Sequence, residues 1–308
     1  MSARPSGGGH GLFTGSLLAV FQPRFFQFGS HSWMPFITYC ESVVRRTWQE
    51  RVRAISAQIA AMEVADLAAM DSSQFQALTT AQLPAMTAGQ AAALDSSDLG
   101  LLSNAQVASI GTAAFAAFST SVIAGLTTQQ VSGLSTAQLR ALGNNAIAAL
   151  ETADLNVLST TQVASLAASQ ISALTTDQLS ALGNTQLHAL TSTQLRAIAD
   201  ANLSALTTAQ IASLTVAQVG SLSAGQVAAL ATDDFAALTP TQVAALSTAA
   251  INNLGSDQVV ALSGAQVGAL TAAQLRAITT ANITVMETDD LNALSATQLG
   301  AFTTAQVA

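Results

Sequence analysis

The residues Thr175-Thr-Asp-Gln-Leu-Ser-Ala-Leu182 form one octad of a repeat that runs without insertion or deletion from Ile55 to Phe302. This segment divides into 31 consecutive octads, and six further residues, Thr303 to Ala308, begin another. Position 1 of the octad is Ser, Thr or Asp in 20 of the 31, and position 4 is Gln in 20. An internal repeat this regular specifies an architecture more firmly than an activity.

Positions 1 and 4 have the S/T-x-x-Q spacing of a helix capping box. In this arrangement the position 1 hydroxyl accepts a hydrogen bond from the N–H of position 4, and the glutamine side chain accepts one from the N–H of position 1. Two of the unpaired donors at a helix start are thereby satisfied. The pattern predicts that a new helix begins in each octad.

Positions 5 and 8 carry the large apolar residues. Position 8 is Leu, Ile, Met or Phe in every complete octad, and position 5 is Leu, Ile, Val or Phe in all but one, where Ala91 stands. Counted from the cap, these positions are the N4 and N′ residues that pack together in a hydrophobic staple. Pro240 falls at the first helical position, where a missing N–H costs nothing.

The charged residues indicate the same register. All 15 acidic residues of the repeat lie at positions 1 to 4, where the positive end of a helix dipole favours them. The cationic or titratable bases Arg140, His188, Arg196 and Arg276 all lie at position 6, towards the end of each predicted helix.

Other interpretations of the period fail on geometry. A continuous helix turns roughly 80° beyond two full turns in eight residues, so its apolar stripe would wind around the surface. A strand would put positions 5 and 8 on opposite faces. We therefore predict an all-α fold, a solenoid of very short capped helices. Octads that lack the glutamine, such as those with Asp154 and Asp234, recur at 40 or 80 residues; a superhelical turn of about five octads, or duplication of a block, would explain this.

The chain divides into three predicted segments. Residues 1–10 form a Ser/Gly-rich leader that we expect to be disordered, and residues 55–308 form the octapeptide-repeat α-solenoid. Residues 11–54 are rich in aromatics and arginine, and we predict an N-terminal cap followed by a lead-in helix over residues 41–54. A secretion signal, or a segment that never orders, are the alternatives for the aromatic part. No apolar run approaches the roughly 18 residues of a membrane span.

Charge excludes one class of partner. The net charge is −8, made of −12 in the acidic repeat and +4 in residues 1–54. Such a repeat repels phosphate backbones, so nucleic-acid binding along it is not expected. The single cysteine, Cys40, excludes an intramolecular disulfide.

No group of residues predicts catalysis. His10, His31 and His188 are far apart and lack further ligands at zinc spacing, and Asp233-Asp234 and Asp289-Asp290 lack a glycine-rich calcium loop. The hydroxyl residues lack His and Asp partners for a nucleophile, and their capping role accounts for most of them. We predict no catalytic, cofactor-binding or metal-binding residue, no cofactor, and no enzyme.

Two family resemblances arise from the octads. Leu238-Thr-Pro-Thr-Gln-Val-Ala-Ala-Leu246 resembles the opening helix of the DNA-reading repeats of TAL effectors. Those repeats have a period several times longer and a basic surface, so DNA binding does not carry over. More broadly, the L-[ST]-x-x-Q-[LV]-x-A-L runs resemble Ala/Thr/Gln-rich repeats of large bacterial surface or secreted proteins. That resemblance implies an extracellular or cell-surface setting and no particular activity.

Two classes of function remain open from the sequence. The first is a structural repeat scaffold, a rigid spacer or self-assembling rod or fibre element, with end-to-end self-association through the C-terminal octad. The second is an α-solenoid module that binds a protein or peptide partner. A binding groove would concentrate aromatics or charges on one flank, whereas the repeat has no Trp or Tyr, and this favours the structural class.

Overall fold

The computed structural model describes residues 57–308. The predicted leader (residues 1–10), cap and lead-in helix (residues 11–54) lie outside the described residues. Within residues 57–308 every regular element is a short helix, and these helices form repeated units. The predicted fold class, an all-α solenoid of short helices, is confirmed.

The helices contain three to six residues each, and one of them is a 3₁₀ turn. Residues 57–61 are also helical. The first ten elements after them are Val64–Ala68, Ser72–Gln76, the 3₁₀ turn Leu83–Ala85, Ala88–Ala92, Ser96–Gly100, Asn104–Ser109, Thr112–Phe115, Thr120–Ala124, Thr128–Ser132 and Thr136–Ala141. The next ten are Asn144–Ala148, Thr152–Asn156, Thr160–Ser165, Ala168–Ser172, Thr176–Ala181, Asn184–Ala189, Ser192–Ala197, Asp200–Leu203, Thr208–Ser213 and Val216–Ser221. The last eleven are Ala224–Ala228, Thr232–Ala236, Pro240–Ala245, Thr248–Asn252, Ser256–Val260, Gly264–Gly268, Ala272–Ala277, Thr280–Ile283, Thr288–Asn292, Ala296–Leu299 and Thr304–Val307.

Each of these α-helices begins at position 2 of its octad, so position 1 is the N-cap. Thr175, for example, has an extended backbone (φ −72°, ψ 164°) and caps the helix Thr176–Ala181. Leu182, at position 8, leaves that helix with φ −61° and ψ 132°. After a six-residue helix, two extended residues, positions 8 and 1, precede the next helix; after the shorter helices the gap is three or four residues. The backbone thus restarts every eight residues, as the sequence predicts.

One octad departs from this pattern, and proline is the physical reason. Pro84 lies at position 6 of the octad that begins at Thr79, in the interior of the expected helix. Because proline has no N–H, it cannot donate to the carbonyl four residues earlier. The octad forms only the 3₁₀ turn Leu83–Ala85 instead of an α-helix.

The solenoid arises because each helix packs against the helix three places along the chain. Ala168–Ser172 packs against Ser192–Ala197, and Val216–Ser221 packs against Pro240–Ala245. Side-chain hydrogen bonds between turns join residues 25 to 31 apart, for example Thr208 with Asp234. A superhelical turn thus contains between three and four octads. The expectation of about five octads per turn is wrong, and the 40-residue recurrence in the sequence is not the pitch of the fold.

Positions 5 and 8 form the core through most of the described array, and only towards its two ends are some of these residues partly buried or exposed. Leu179 at position 5 is 0% exposed and Leu182 at position 8 is 3% exposed. The largest side chains at position 5, Phe75, Phe115 and Phe235, are also fully buried. Since a single short helix cannot bury two such residues alone, each octad depends on contact with the octads of the next turn.

Candidate functional site: the glutamine ladder

The capping box predicted from the sequence is present in the structure. The N–H of Gln178 donates to Thr175 Oγ1 at 3.2 Å, and the N–H of Thr175 donates to Gln178 Oε1 at 2.9 Å. The same pair of bonds joins Ser223 to Gln226. Position 1 and position 4 therefore close the first turn of the helix together.

Some octads form only half of this box. Position 1 is Ala167, Gly183 or Gly255 in three octads, and these residues have no side-chain oxygen to accept a bond. Their backbone N–H still donates to the Oε1 of the position 4 glutamine, at 2.7, 3.0 and 3.1 Å respectively. In these three octads the hydrogen bond to the glutamine oxygen is retained although the position 1 hydroxyl is absent, so the helix can begin without the hydroxyl.

The glutamine has a second role, which joins successive superhelical turns. While Gln130 Oε1 accepts from the N–H of Thr127, its Nε2 donates to the carbonyl oxygens of Leu99 and Leu102, both at 2.8 Å. Leu99 and Leu102 are positions 5 and 8 of an octad four places earlier. One buried amide, 2% exposed, thus closes its own helix and holds the end of a helix in the preceding turn.

This arrangement recurs along the array, and we call it the glutamine ladder. In each case the Nε2 of a position 4 glutamine donates to one or more carbonyls at positions 5, 6 or 8 of the octad four places earlier. Its members are Gln90, Gln106, Gln130, Gln138, Gln162, Gln170, Gln178, Gln186, Gln194, Gln210, Gln218, Gln226, Gln242, Gln258, Gln266, Gln274, Gln298 and Gln306.

The ladder solves a problem that short helices create. The last carbonyls of any helix have no partner within it, and in helices of four to six residues these carbonyls are a large share of the backbone. A buried carbonyl without a partner costs about 1–3 kcal/mol. The glutamine amide has two N–H donors: in Gln130 one bonds to the Leu102 carbonyl and the other adds a second hydrogen bond to the Leu99 carbonyl, while the oxygen is used on the cap.

Apolar side chains interrupt the ladder at four octads. Position 4 is Ala114, Val122, Ala146 or Ala250 there, and all four residues are buried. An alanine or valine offers no donor to the preceding turn. In one of these octads Phe115 and Phe118, at positions 5 and 8, also make an edge-to-face ring contact with each other.

Acidic side chains replace the glutamine at three buried positions, Asp154, Asp234 and Asp290. Asp234 accepts a hydrogen bond from Thr208 Oγ1 at 2.7 Å, so a hydroxyl of the preceding turn bonds to its carboxyl group. Burial raises the pKa of Asp154; the hydrogen bond from the Glu151 N–H partly offsets this rise, and the charge of the Glu151 side chain adds to it. Burial likewise raises the pKa of Asp290.

The exposed face contains little reactive chemistry in residues 57–308. His188 Nε2 contacts the carbonyl oxygen of Ser213 in the next turn, and it lies at the surface. In the part of the chain that the structure describes, no three His, Cys, Asp or Glu side chains lie close enough together to hold a metal ion. Arg140, Arg196 and Arg276 are in the last turn of their helices, as the charge pattern predicts.

The second role of the glutamine is not among the predictions from the sequence, although a signal for it exists. Glutamate supports a capping box as well as glutamine does. Yet position 4 is Gln in 20 complete octads and Glu in none. Glutamine differs from glutamate in its amide N–H₂ group, so this preference indicates that position 4 requires hydrogen-bond donors. Asn282 has the same group, and its Nδ2 donates to the carbonyl of Leu254 at 2.8 Å.

These features define a class of protein, a solenoid of short capped helices whose turns are joined by side-chain amides. Six segments match the family model described as the ALTTAQ repeat, namely residues 59–96, 91–128, 147–184, 196–232, 227–264 and 283–308. Because these segments cover more than half of the chain, it belongs to the ALTTAQ repeat family. No curated protein matches the chain.

The run that gives this family its description is a functional unit of the fold. Ala205-Leu-Thr-Thr-Ala-Gln210 contains positions 7 and 8 of one octad and positions 1 to 4 of the next. It therefore includes the buried Leu206, the cap Thr207 and the ladder residue Gln210. Among the described residues, no helix is both long and apolar enough to cross a membrane.

Proposed function

We propose that this chain is a non-catalytic structural scaffold whose repeat acts as a rigid spacer or rod. The glutamine ladder is the observation that carries this proposal. Its buried polar groups bond to backbone carbonyls and to caps, so they maintain the spacing between turns. Hydrogen bonds of this kind, repeated at equivalent positions, resist bending because any bend must lengthen several of them together.

The exposed residues support a scaffold better than a binding module. Large apolar side chains with substantial exposure are few and are spread over octad positions 2, 5, 6 and 7, and only Leu299 and Val307 occupy the same position in successive octads. In the described residues they are Val64, Val157, Val216, Val260, Val285, Leu299 and Val307. Binding surfaces are typically anchored by Trp, Tyr or Arg in pockets.

A surface depression among the described residues also lacks the features of a peptide-binding pocket. It is open and is lined by small hydroxyl and methyl groups, those of Thr160, Thr161, Ala164, Ser165 and Ala189. Such a surface offers no aromatic anchor and no charge to a peptide. The protein- or peptide-binding alternative therefore lacks a specific supporting contact.

The spacer proposal is tested by changing length in whole octads. Deleting residues 167–198 from the full chain removes four octads and leaves the octad register intact. We expect the variant to keep the same helical circular dichroism per residue and to have a shorter maximum dimension in small-angle scattering. A matched control deletes only residues 167–170, half an octad, and should lose helicity because positions 5 and 8 no longer meet their partners.

A scattering profile whose maximum dimension is unchanged by the four-octad deletion would contradict the spacer proposal. The predicted end-to-end self-association is measured on the unmodified chain, as molecular mass by sedimentation over a range of concentrations. We expect the mass to rise with concentration. A constant mass removes the self-assembling form of the proposal and leaves the spacer form to the deletion experiment.

A further inference from the structure

Asp154, Asp234 and Asp290 are buried acidic residues that stand where the ladder requires a donor, and of these Asp234 accepts a hydroxyl hydrogen bond from the preceding turn. Asp154 is 2% exposed and Asp290 is 5% exposed, and both stand at position 4. An ionised carboxylate accepts hydrogen bonds and donates none. By the register of the ladder, the carbonyls that a glutamine would reach are those at positions 5 and 8 of the octad four places earlier. The corresponding position 8 residues are Leu126 and Leu262.

The two carboxylates are poorly satisfied. Asp154 accepts one long bond, 3.4 Å, from the N–H of Glu151. One oxygen of Asp290, Oδ2, is buried and has no hydrogen-bond partner in the described residues. A buried charge with so few donors is costly unless it takes up a proton. Asp234 differs from both, since Thr208 Oγ1 donates a hydrogen bond to its carboxyl group at 2.7 Å.

A side chain of this length reaches the carbonyl in question. Asn282 is isosteric with aspartic acid and occupies position 4 of its own octad. Its Nδ2 donates to the carbonyl of Leu254, position 8 of the octad four places earlier, at 2.8 Å. Asn282 is therefore a model, within the same fold, of what a protonated aspartic acid can do at this position.

The surrounding charges also disfavour the ionised form. In both octads position 1 is a glutamate, Glu151 or Glu287, and Asp289 adjoins Asp290. Burial is the largest cause of the raised pKa of each aspartic acid; the backbone N–H of the glutamate acts in the opposite direction, and the charges of both glutamates, and of Asp289 in the second octad, raise the pKa again.

The packed elements contribute no cation. The helix of Asp154 packs against Thr128–Ser132, which has no titratable residue, and against Thr176–Ala181, which has only Asp177. The helix of Asp290 packs against Gly264–Gly268, which has none. The octad that supplies the carbonyl facing Asp154, residues 119–126, contains no titratable residue. The octad that supplies the carbonyl facing Asp290, residues 255–262, contains only Asp257.

We propose that these two octads are pH-responsive joints of the ladder. A proton on Asp154 or Asp290 supplies the O–H donor that bonds to the carbonyl of Leu126 or Leu262. Acidification from neutral pH therefore tightens the contact between successive turns at two defined places, and neutral pH loosens it. This regulation rests on the ladder geometry and is independent of what the scaffold is for.

The direction of the pH effect follows from linkage. The pKa of each residue in the folded chain lies above its ordinary value of 3.8. The folded state therefore binds protons more tightly than the unfolded state between those two values. The stabilising contribution is fully present below pH 3.8 and is lost as the pH rises through the folded-state pKa.

Asparagine variants imitate the protonated form at all pH values. We compare the full-length Asp154→Asn/Asp290→Asn variant with a matched control, Asp177→Asn/Asp257→Asn, which removes the same charge at exposed position 3 sites. Melting temperature is recorded from pH 7 to about pH 4.5. We expect the buried pair of substitutions to raise the melting temperature at pH 7 and to flatten its rise on acidification, whereas the exposed pair leaves that rise intact.

A second measurement keeps the proposal falsifiable if a variant fails to fold. Carbon-13 NMR of the unmodified chain, labelled at aspartate carboxyls, gives the titration midpoint of each resolved residue. We expect two midpoints above 3.8, which disappear in the Asp154→Asn and Asp290→Asn single variants. The proposal would be overturned if melting temperature changed with pH in the same way in the two double variants. It would also be overturned if the titration midpoints of Asp154 and Asp290 were both at or below 3.8.

Discussion

Changing Gln130 to Glu tests the glutamine ladder at a single residue. The substitution keeps an oxygen that can accept from the N–H of Thr127, which Gln130 Oε1 now does at 2.9 Å. It removes both Nε2 hydrogen bonds, to the carbonyls of Leu99 and Leu102, each 2.8 Å long. The cap is therefore preserved while the connection between turns is lost, and at neutral pH a carboxylate faces two carbonyl oxygens.

The expected loss of stability is large because the site is buried. Gln130 and the carbonyls of Leu99 and Leu102 are removed from solvent. The Leu99 carbonyl still accepts from the N–H of Leu102 at 3.1 Å, so the Leu102 carbonyl is the group that loses most. An uncompensated charge in such a place costs about 3–5 kcal/mol. Part of this cost should disappear at low pH, where the new carboxyl is protonated and can donate.

The neighbouring residue provides a matched control. Gln129 is in the same helix, Thr128–Ser132, and is exposed. Gln129→Glu changes the charge identically, and we expect its effect on the free energy of unfolding to be within about 0.5 kcal/mol. The difference between the two variants isolates the effect of burial and of the ladder bonds from that of net charge.

Amide hydrogen exchange is the assay best suited to this array. Repeat units contact only nearby units, so a defect at one octad opens the chain locally and a single global transition can miss it. In Gln130→Glu we expect faster exchange in residues 95–102 and 127–134, with residues 239–246 unchanged. Equal exchange rates in Gln130→Glu and Gln129→Glu would refute the ladder.

Three further substitutions test the cap, the core and the packing of turns. Thr175→Ala removes the side-chain acceptor of a cap and should cost about 1 kcal/mol in denaturant titration; an unchanged midpoint would show that the hydroxyl is dispensable. Leu182→Asp buries an unpaired charge and should cost about 4 kcal/mol, and a variant that melts like the parent would mean that position 8 is not core. Gly220→Ala places a Cβ 2.9 Å from the carbonyl oxygen of Ala245 and should lower the melting temperature. Gly100→Ala, also at position 6 but with nothing within 4 Å, should match or exceed the parent, and equal losses for the two glycines would contradict the packing described.

Local features of this fold could be predicted because their parts lie within one octad. The cap of Thr175, its box with Gln178 and the burial of Leu182 each involve residues no more than eight apart. The same pattern of cap, glutamine and apolar residues recurs along the array, so a chance match in one octad does not mislead the prediction. The placement of acids at helix starts follows from the same register.

The number of octads per turn could not be predicted, and the repeat itself is the reason. Contacts between turns join residues 25 to 31 apart, such as His188 with Ser213 and Gln130 with Leu99. Since neighbouring octads are nearly identical, a partner three, four or five octads away presents the same residues. The sequence pattern is therefore equally compatible with several pitches, and only three-dimensional packing selects one.

The buried aspartic acids illustrate a related difficulty. Asp154 and Asp177 both lie in the first turn of a helix, and the helix dipole explains both equally well. Only the ladder shows that position 4 points inward while position 3 is exposed. A rule that counts the acids at positions 1 to 4 together therefore treats the buried Asp154 and the exposed Asp177 as equivalent.

The ladder also bears on how the chain acquires its structure during synthesis. Each ladder amide reaches back to carbonyls that lie 28 to 31 residues nearer the N-terminus, so an octad leaving the ribosome meets partners that have already emerged. The loop closed at each step has the same size however long the array becomes, which keeps the entropic cost of each step constant. Folding can therefore follow translation octad by octad, and an unfinished chain exposes little more than its most recent turn.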